Sequence, residues 1–248
     1  MPVRLAVVVA VALLAVIATV AAYGSEATRP AATRTVTVVL DPGHDLIANL
    51  GMEPIGPGSA ARKIKDGGGT SGVVTGQREA SVNLRVALRL RTLLQAAGGI
   101  RVKMTRTTTC CVSRGNVWRA NFANGWDAAL FLRIHADGST NHAVAGTSTL
   151  YPANHRGWTS DIYARSLQAA RIIQARLVKR LGWSNRGIVP RSDITGFNWS
   201  NRPVVLTEVG FLTNPGEDRA LKTAAVVNRV AAGLRDGVLA YLHVRGLR

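Results

Sequence analysis

Cysteine is nearly absent from this sequence: the 248 residues contain two, the adjacent Cys110 and Cys111. Two cysteines cannot build a disulfide framework. Neighbouring Cα atoms lie about 3.8 Å apart, less than the usual disulfide range, so a bond between these two would be strained. Two unbonded small side chains within the packing are the favoured interpretation. Free reactive thiols, a vicinal redox pair and an intermolecular bridge remain alternatives.

Acidic residues are also few, 14 against 31 lysines and arginines, which leaves a formal net charge of +17. Most of the basic residues are arginine, so the surface carries a positive field at any physiological pH. This balance favours an anionic partner, although a bias in codon usage would produce the same composition. For an exported chain the expected partners are anionic cell-wall polymers rather than nucleic acid.

The sequence shows no internal repeat and no sign of a second domain. One catalytic domain is therefore expected, since 248 residues of which 47% are hydrophobic suffice for one sizeable core. The N-terminal stretch differs, because an apolar run from Leu5 to Ala22 follows Arg4. Residues 1–27 are interpreted as a signal peptide, cleaved after Ala22 or Ala27, and residues 28–248 as the domain. This predicts a periplasmic or cell-wall protein; an uncleaved membrane anchor is the alternative.

Predicted strands and helices alternate along the rest of the chain. The strands are expected at 35–40, 100–104, 128–134, 146–151 and 203–209, and the helices at 78–97, 113–124, 158–181 and 226–242. Residues 45–76 and 186–202 show no period and are predicted to be loops. The alternation indicates an α/β fold, a single domain with a mainly parallel sheet and helices on both faces.

Four ionisable residues fall where such a fold places a site. His44 and His135 follow predicted strands, and Glu208 closes another, so all three are expected at the carboxyl edge of the sheet. Glu79 lies on the otherwise apolar stripe of the first predicted helix, where an ionised carboxylate needs a partner. Two histidines and a carboxylate form the ligand set of many catalytic zinc sites, and Glu208 would then act as the general base.

Each of these residues also has an ordinary structural interpretation, and the chain has no compact metal signature of the His-Glu-x-x-His type. A histidine after a strand is often a hydrogen-bonded structural residue, and a buried glutamate often pairs with an arginine. His142, His155 and His243 lack a comparable setting and are expected to be surface or structural residues. Trp158, Trp183 and Trp199 are expected to pack in the core, with stacking on sugar or peptide as the alternative.

Four segments, in this order, resemble the zinc-dependent N-acetylmuramoyl-L-alanine amidases that act in bacterial cell separation. They are Leu40-Asp41-Pro42-Gly43-His44, Arg78-Glu79-Ala80-Ser81-Val82-Asn83-Leu84, Ile134-His135-Ala136-Asp137 and Glu208-Val209-Gly210-Phe211-Leu212-Thr213-Asn214. The single-domain form is similar to the mycobacterial members. The resemblance implies a phosphorylase/hydrolase-like sheet, one zinc ion per chain held by His44, Glu79 and His135, and Glu208 as the catalytic carboxylate.

The resemblance further implies hydrolysis of the amide between N-acetylmuramic acid and L-alanine in peptidoglycan. The sequence departs from the family pattern at Asp45, where glycine is common, and at Arg133, where serine is common. Residues 45–76 are longer than the corresponding family segment and are hypothesised to gate the site or, through residues 62–65, to bind the wall. Alternatives are a zinc peptidase or carboxypeptidase acting on another wall bond, and a basic, non-catalytic wall-binding protein.

Overall fold

The computed structural model describes residues 35–248, and the predicted signal peptide therefore lies outside the described residues. In chain order the strands are β1 (Val36–Pro42), β2 (Asn49–Pro54), β3 (Arg62–Asp66), β4 (Ile100–Met104), β5 (Leu130–Asp137), β6 (Thr147–Pro152), β7 (Asn185–Arg191) and β8 (Val204–Phe211). The helices are α1 (Glu79–Ala96), α2 (Asn116–Gly125), α3 (Tyr163–Leu181), α4 (Thr195–Asn198), α5 (Pro215–Lys222) and α6 (Ala224–Val244). In the described part, none of these helices is long and apolar enough to cross a membrane.

Six strands form one sheet in the order β4-β1-β5-β8-β6-β7. The pairings of β1 with β4 and β5, and of β5 with β8, are parallel, whereas β6 runs antiparallel to β8. The central strands β1, β5 and β8 are buried along almost their whole length, because both faces of the sheet are covered. The predicted α/β class and mainly parallel sheet are confirmed.

The two faces of the sheet carry different helices. Apolar residues of α1, α3 and α6 pack with one set of strand side chains into the larger core, in which Leu90, Ile173 and Tyr241 are fully buried. The opposite face packs against α2 and α4, around Phe131 and Phe197. Helix α6 lies directly against α3: a Cβ on Gly237 would come within 2.8 Å of the Cα of Ile173.

The structure corrects both predicted loops. Residues 45–76 contain an antiparallel hairpin of β2 and β3, and residues 186–202 contain most of β7 and the short helix α4. Both strands of the hairpin are largely exposed, so their side chains show no alternation of apolar and polar residues. Strand β7 is an edge strand with a similarly polar sequence. In neither segment do hydrophobic residues recur at the spacing that would predict a strand.

Smaller differences concern single residues. Glu208 does not close its strand, because β8 continues to Phe211, and α3 begins at Tyr163, later than predicted. Cys110 and Cys111 are joined by a disulfide, which corrects the favoured interpretation of two unbonded side chains. The prediction that the tryptophans pack in the core is confirmed for Trp183 and Trp199, which pack against the larger and the smaller core. Trp158 belongs to neither core; its indole N–H donates to the carbonyl oxygen of Pro57 in the hairpin.

Candidate active site

The three predicted metal ligands meet at the carboxyl edge of the sheet. One donor atom from each of His44, Glu79 and His135 lies within 4.8 Å of the other two. Oε1 of Glu79 is 2.9 Å from Nδ1 of His135 and 3.2 Å from Nε2 of His44. The side chains come from the end of β1, the first turn of α1 and β5, which the parallel topology brings side by side.

The turn after β1 fixes the position of His44. His44 has a φ of +60°, an uncommon conformation for a residue other than glycine. Gly43 lies against the ring of His135, since a Cβ there would approach its Cε1 to 2.2 Å. The guanidinium of Arg106 donates hydrogen bonds of 3.0 Å to the carbonyl oxygens of both Pro42 and Gly43. Close packing and these hydrogen bonds hold the backbone that carries His44.

Glu79 is buried as an ionised carboxylate at the N-terminus of α1. Its oxygens accept hydrogen bonds from the backbone N–H groups of Thr70 and Ala136 and from the side chain of Asn83. Burial alone would raise its pKa, but hydrogen bonds and charge from His135 and His44 more than offset that effect and hold the pKa well below its usual value. The charge at this apolar helix face is thus compensated.

Asp66, the last residue of β3, is a site residue that the sequence reasoning missed. Its Oδ1 accepts a hydrogen bond of 2.5 Å from Nδ1 of His44 and one of 2.7 Å from the N–H of Gly68. This contact leaves Nε2 of His44 directed at Glu79. Asp66 lies 22 residues beyond His44, in a segment without periodicity, so no sequence signal linked the two.

The charges around His44 favour a cation at this position. Burial opposes protonation, yet the hydrogen bonds and charges of Asp66 and Glu79 raise the pKa of His44 from 6.5 to about 10. For Asp66 burial likewise opposes the change, while its contact with His44 lowers its pKa to about 2. Two carboxylates thus hold a positive charge where a metal ion would replace the proton.

Glu208 lies beside His135 on the neighbouring strand. The two residues are partners in the parallel register of β5 and β8, so their side chains leave the same face of the sheet. Burial, followed by the charges of Glu79 and Asp137, raises the pKa of Glu208 well above its usual value. Its Oε2 is buried and finds no hydrogen-bond partner within residues 35–248. A polar atom left in this state is available to water or substrate.

The donor set fits a zinc ion, although no ion accompanies the structure. Two imidazole nitrogens and one carboxylate oxygen form the ligand set of catalytic zinc sites that keep a fourth position for water. Nδ1 of His44 and Oε2 of Glu79 each have a protein partner on the side away from the cluster, in Asp66 and in the N–H of Thr70. Such outer contacts orient metal ligands.

The cluster opens into a cleft of about 630 Å³. Glu208 on β8 and Asp137 at the end of β5 also line it. The other lining residues come from the loops after β3, β5 and β8: Gly69, Thr70, Gly138, Ser139, Thr140, His142 and Thr213. His142 is exposed, as predicted for a surface residue, and it also lines the cleft, which the sequence did not indicate. His155 keeps a structural role, stacking on Trp158 with 4.1 Å between ring centroids.

A buried triad of charged residues lies next to the site. Asp41 lies between Arg119 and Arg133, to which it is joined by hydrogen bonds of 2.5 and 2.8 Å. Burial raises the pKa of Asp41, but the two arginines outweigh it and the pKa falls far below its usual value. The arginine at position 133, unusual for the resemblance noted above, is thus explained by a carboxylate that needs two partners.

The chain is similar to known proteins in sequence and in fold. Residues 38–240 match the sequence model of the N-acetylmuramoyl-L-alanine amidases. The chain belongs to this amidase family. The matched range spans the positions of His44, Glu79, His135 and Glu208.

Individual amidases show how far the likeness extends. An N-acetylmuramoyl-L-alanine amidase of Mycobacterium tuberculosis is 28% identical over 90% of this chain and 92% of its own length. The amidase LytC of Bacillus subtilis is 29% identical over 83% of this chain. The matched region is only 35% of LytC, which is a longer protein. The crystal structure of an amidase from Mycobacterium smegmatis superposes with a TM-score of 0.76 at 27% identity, covering 84% of this chain and 97% of that one.

Proposed function

We propose that this chain is a zinc-dependent peptidoglycan amidase that hydrolyses the bond between N-acetylmuramic acid and the L-alanine of the stem peptide. The family match over residues 38–240 supports the amidase activity. The single observation that carries the mechanism is the clustering of His44, Glu79 and His135, within 4.8 Å of one another, in a cleft that also contains Glu208.

The roles of the side chains follow from their surroundings. When bound by His44, Glu79 and His135, zinc supplies an acidified water and an electrostatic partner for the scissile carbonyl oxygen. The carboxylate of Glu208 accepts the proton from the attacking water and passes it to the leaving nitrogen of L-alanine. A carboxyl group with a raised pKa suits both steps, since it binds the proton long enough to return it.

The protein is further proposed to be exported by residues 1–27 and to act in the periplasm or cell wall. The basic Arg4, the apolar run from Leu5 to Ala22 and the small residues at its end support this proposal. N-terminal sequencing of the protein recovered outside the cytoplasm should begin at residue 23 or 28. Recovery of the intact chain from membranes would favour the anchor instead.

Replacement of Glu208 by glutamine tests the catalytic assignment. The variant Glu208→Gln should keep about one zinc ion per chain, because no ligand is lost, while hydrolysis of purified peptidoglycan falls by about 10²–10⁴-fold. His44→Ala should lose the zinc as well, and Asp161→Asn, a change at an exposed carboxylate outside the cleft, should alter neither property. Metal analysis and initial rates measure the two effects.

Mass spectrometry of the products identifies the bond that is cut. Release of intact stem peptides beginning with L-alanine, together with glycan strands that lack peptide, is expected. Shortened stem peptides would establish the zinc peptidase alternative, and full activity of Glu208→Gln would remove the assigned role. Tight wall binding without any turnover would establish the non-catalytic alternative.

A further inference from the structure

A second cleft, of about 400 Å³, lies at the edge of the sheet opposite the proposed zinc site. Its walls include residues that precede or begin β1, β5 and β8, whereas the zinc site lies where these strands end. A strand of seven or eight residues spans about 25 Å, so one molecule the size of a disaccharide cannot occupy both clefts.

Positive charge is concentrated in this second cleft. Four arginines from different parts of the fold line it: Arg101 on β4, Arg165 on α3, Arg202 before β8 and Arg245 after α6. Asp127 is the acidic residue among the lining residues, and it pairs with Arg202. The lining thus carries three formal positive charges in excess.

Several of these charged groups lack protein partners. The Nε of Arg202 is buried and has no hydrogen-bond partner within residues 35–248, and the side chains of Arg101 and Arg245 donate to no group in that range. Buried donors are normally satisfied, and gathered like charges raise the free energy of the folded state. The unpaired buried donor and the gathered positive charge favour the binding of an anion in this cleft.

The size and the remaining surface of the cleft define this anion. The planar guanidinium group matches phosphate oxygens in paired hydrogen bonds. A cleft of about 400 Å³ is far larger than one phosphate and falls in the range of sites for small organic ligands. Trp126 is 37% exposed and supplies aromatic surface beside the arginines. The ammonium of Lys103 lies 3.7 Å from the centre of its ring, so one ring face is left for the C–H face of a sugar.

We propose that this cleft binds a phosphorylated saccharide, with the arginines on the phosphate and Trp126 on the sugar. The choice of a saccharide rests on the proposed function, because an enzyme of the cell wall meets anionic glycan polymers. Binding there would hold the protein on the wall independently of the zinc site.

Titration calorimetry with N-acetylglucosamine 1-phosphate tests the inference. The sample is the exported form of the protein, purified from a bacterial host. Saturable binding at one site per chain is expected. The double variant Arg101→Gln/Arg245→Gln should weaken this binding at least tenfold, because two positive charges are lost. The fold should be unaffected, since neither side chain donates a hydrogen bond within residues 35–248. The matched control Arg89→Gln/Arg229→Gln removes the same charge from exposed helix positions outside the cleft and should bind as the wild type does.

The remaining arms separate the possible outcomes. Unphosphorylated N-acetylglucosamine should not bind at the same concentrations, and inorganic phosphate should bind more weakly than the sugar phosphate. Absence of saturable binding, or equal weakening in both double variants, would overturn the inference. So would a preference for phosphatidylglycerol vesicles over the sugar phosphate, because the ligand would then be a lipid.

The proposed function can fail without affecting this test. Arg101→Gln/Arg245→Gln should hydrolyse soluble muropeptides at the wild-type rate while its turnover on intact wall falls. A chain that binds the sugar phosphate but releases no stem peptide would retain the inference and lose the amidase assignment. A loss of soluble turnover in this variant would overturn the independence of the two clefts.

Discussion

At the scale of single residues, the contact between Asp66 and His44 gives a role to the long insertion, residues 45–76. The insertion was hypothesised to gate the site or to bind the wall. Both hypotheses stay predictions, and the structure adds a third role: the last strand, β3, delivers a carboxylate to the ring of a proposed zinc ligand, at 2.5 Å from Nδ1. A hydrogen bond of this kind fixes the tautomer and the orientation of the imidazole.

Removal of the Asp66 carboxylate should therefore weaken zinc binding. In Asp66→Ala the zinc affinity is expected to fall by about 10–100-fold, the usual effect of losing an outer partner, and Asp66→Asn should fall less because an acceptor oxygen remains. Competition with a chromophoric chelator at neutral pH measures the affinity. Asp236→Ala, which removes a carboxylate on α6, serves as the control, and unchanged affinity in Asp66→Ala would exclude the positioning role.

At the scale of elements, the β2–β3 hairpin is anchored at several points along its length. The carboxylate of Glu53 accepts the N–H groups of Asn116 (2.8 Å) and Val117 (3.2 Å), the first two residues of α2. No side chain of the helix itself caps this terminus. Asn198 and Trp199 hold the carbonyl oxygens of Ile55 and Pro54 from the other side. An element anchored in this way positions residues for the site.

Loss of the Glu53 anchor should act on both the helix and the proposed zinc site. Glu53→Ala is expected to lower the free energy of unfolding by about 1–2 kcal/mol, as for other lost N-caps, and to increase amide exchange in residues 49–66. The zinc affinity should decrease with it, because the hairpin carries Asp66. Urea unfolding and hydrogen exchange provide the two measurements.

Thr223→Ala provides a matched control for the hairpin. Thr223 caps α6 through the N–H of Val226, so its loss should have a similar cost in stability without a change in zinc affinity. An equal loss of affinity in the two variants would mean that general destabilisation, and not the hairpin, governs the site.

At the scale of the whole molecule, the net charge of +17 predicts how the protein meets its substrate. Exposed charges are screened over about 10 Å at 0.1 M salt and about 3 Å at 1 M salt. Binding to purified wall should therefore decrease steeply between these concentrations, whereas turnover of a soluble muropeptide should change much less. Sedimentation with wall and initial rates measure the two quantities, and binding insensitive to salt would exclude the electrostatic contribution.

Sequence patterns predicted most of this architecture because the buried elements impose them. Apolar residues recur along α1 at the helical period, and β1 is a continuous β-branched run, as burial requires in each case. Both elements occur within a few residues of the predicted bounds. The hairpin and β7 lack such periods, because exposed strands place little constraint on their side chains. The hairpin is held by contacts with distant tryptophans and with α2, and β7 by its pairing with β6.

The sequence by itself determined the chemical groups: two histidines, a glutamate on an apolar helix face, and a second glutamate on a buried strand. Tertiary structure decided which further groups join them, because parallel strands bring together segments that are far apart in the chain. Asp66 reaches His44 only through the hairpin, His142 lines the cleft only through the loop after β5, and the arginines of the second cleft meet only at the opposite edge of the sheet. Such meetings depend on distances in space, which no pattern along the chain records.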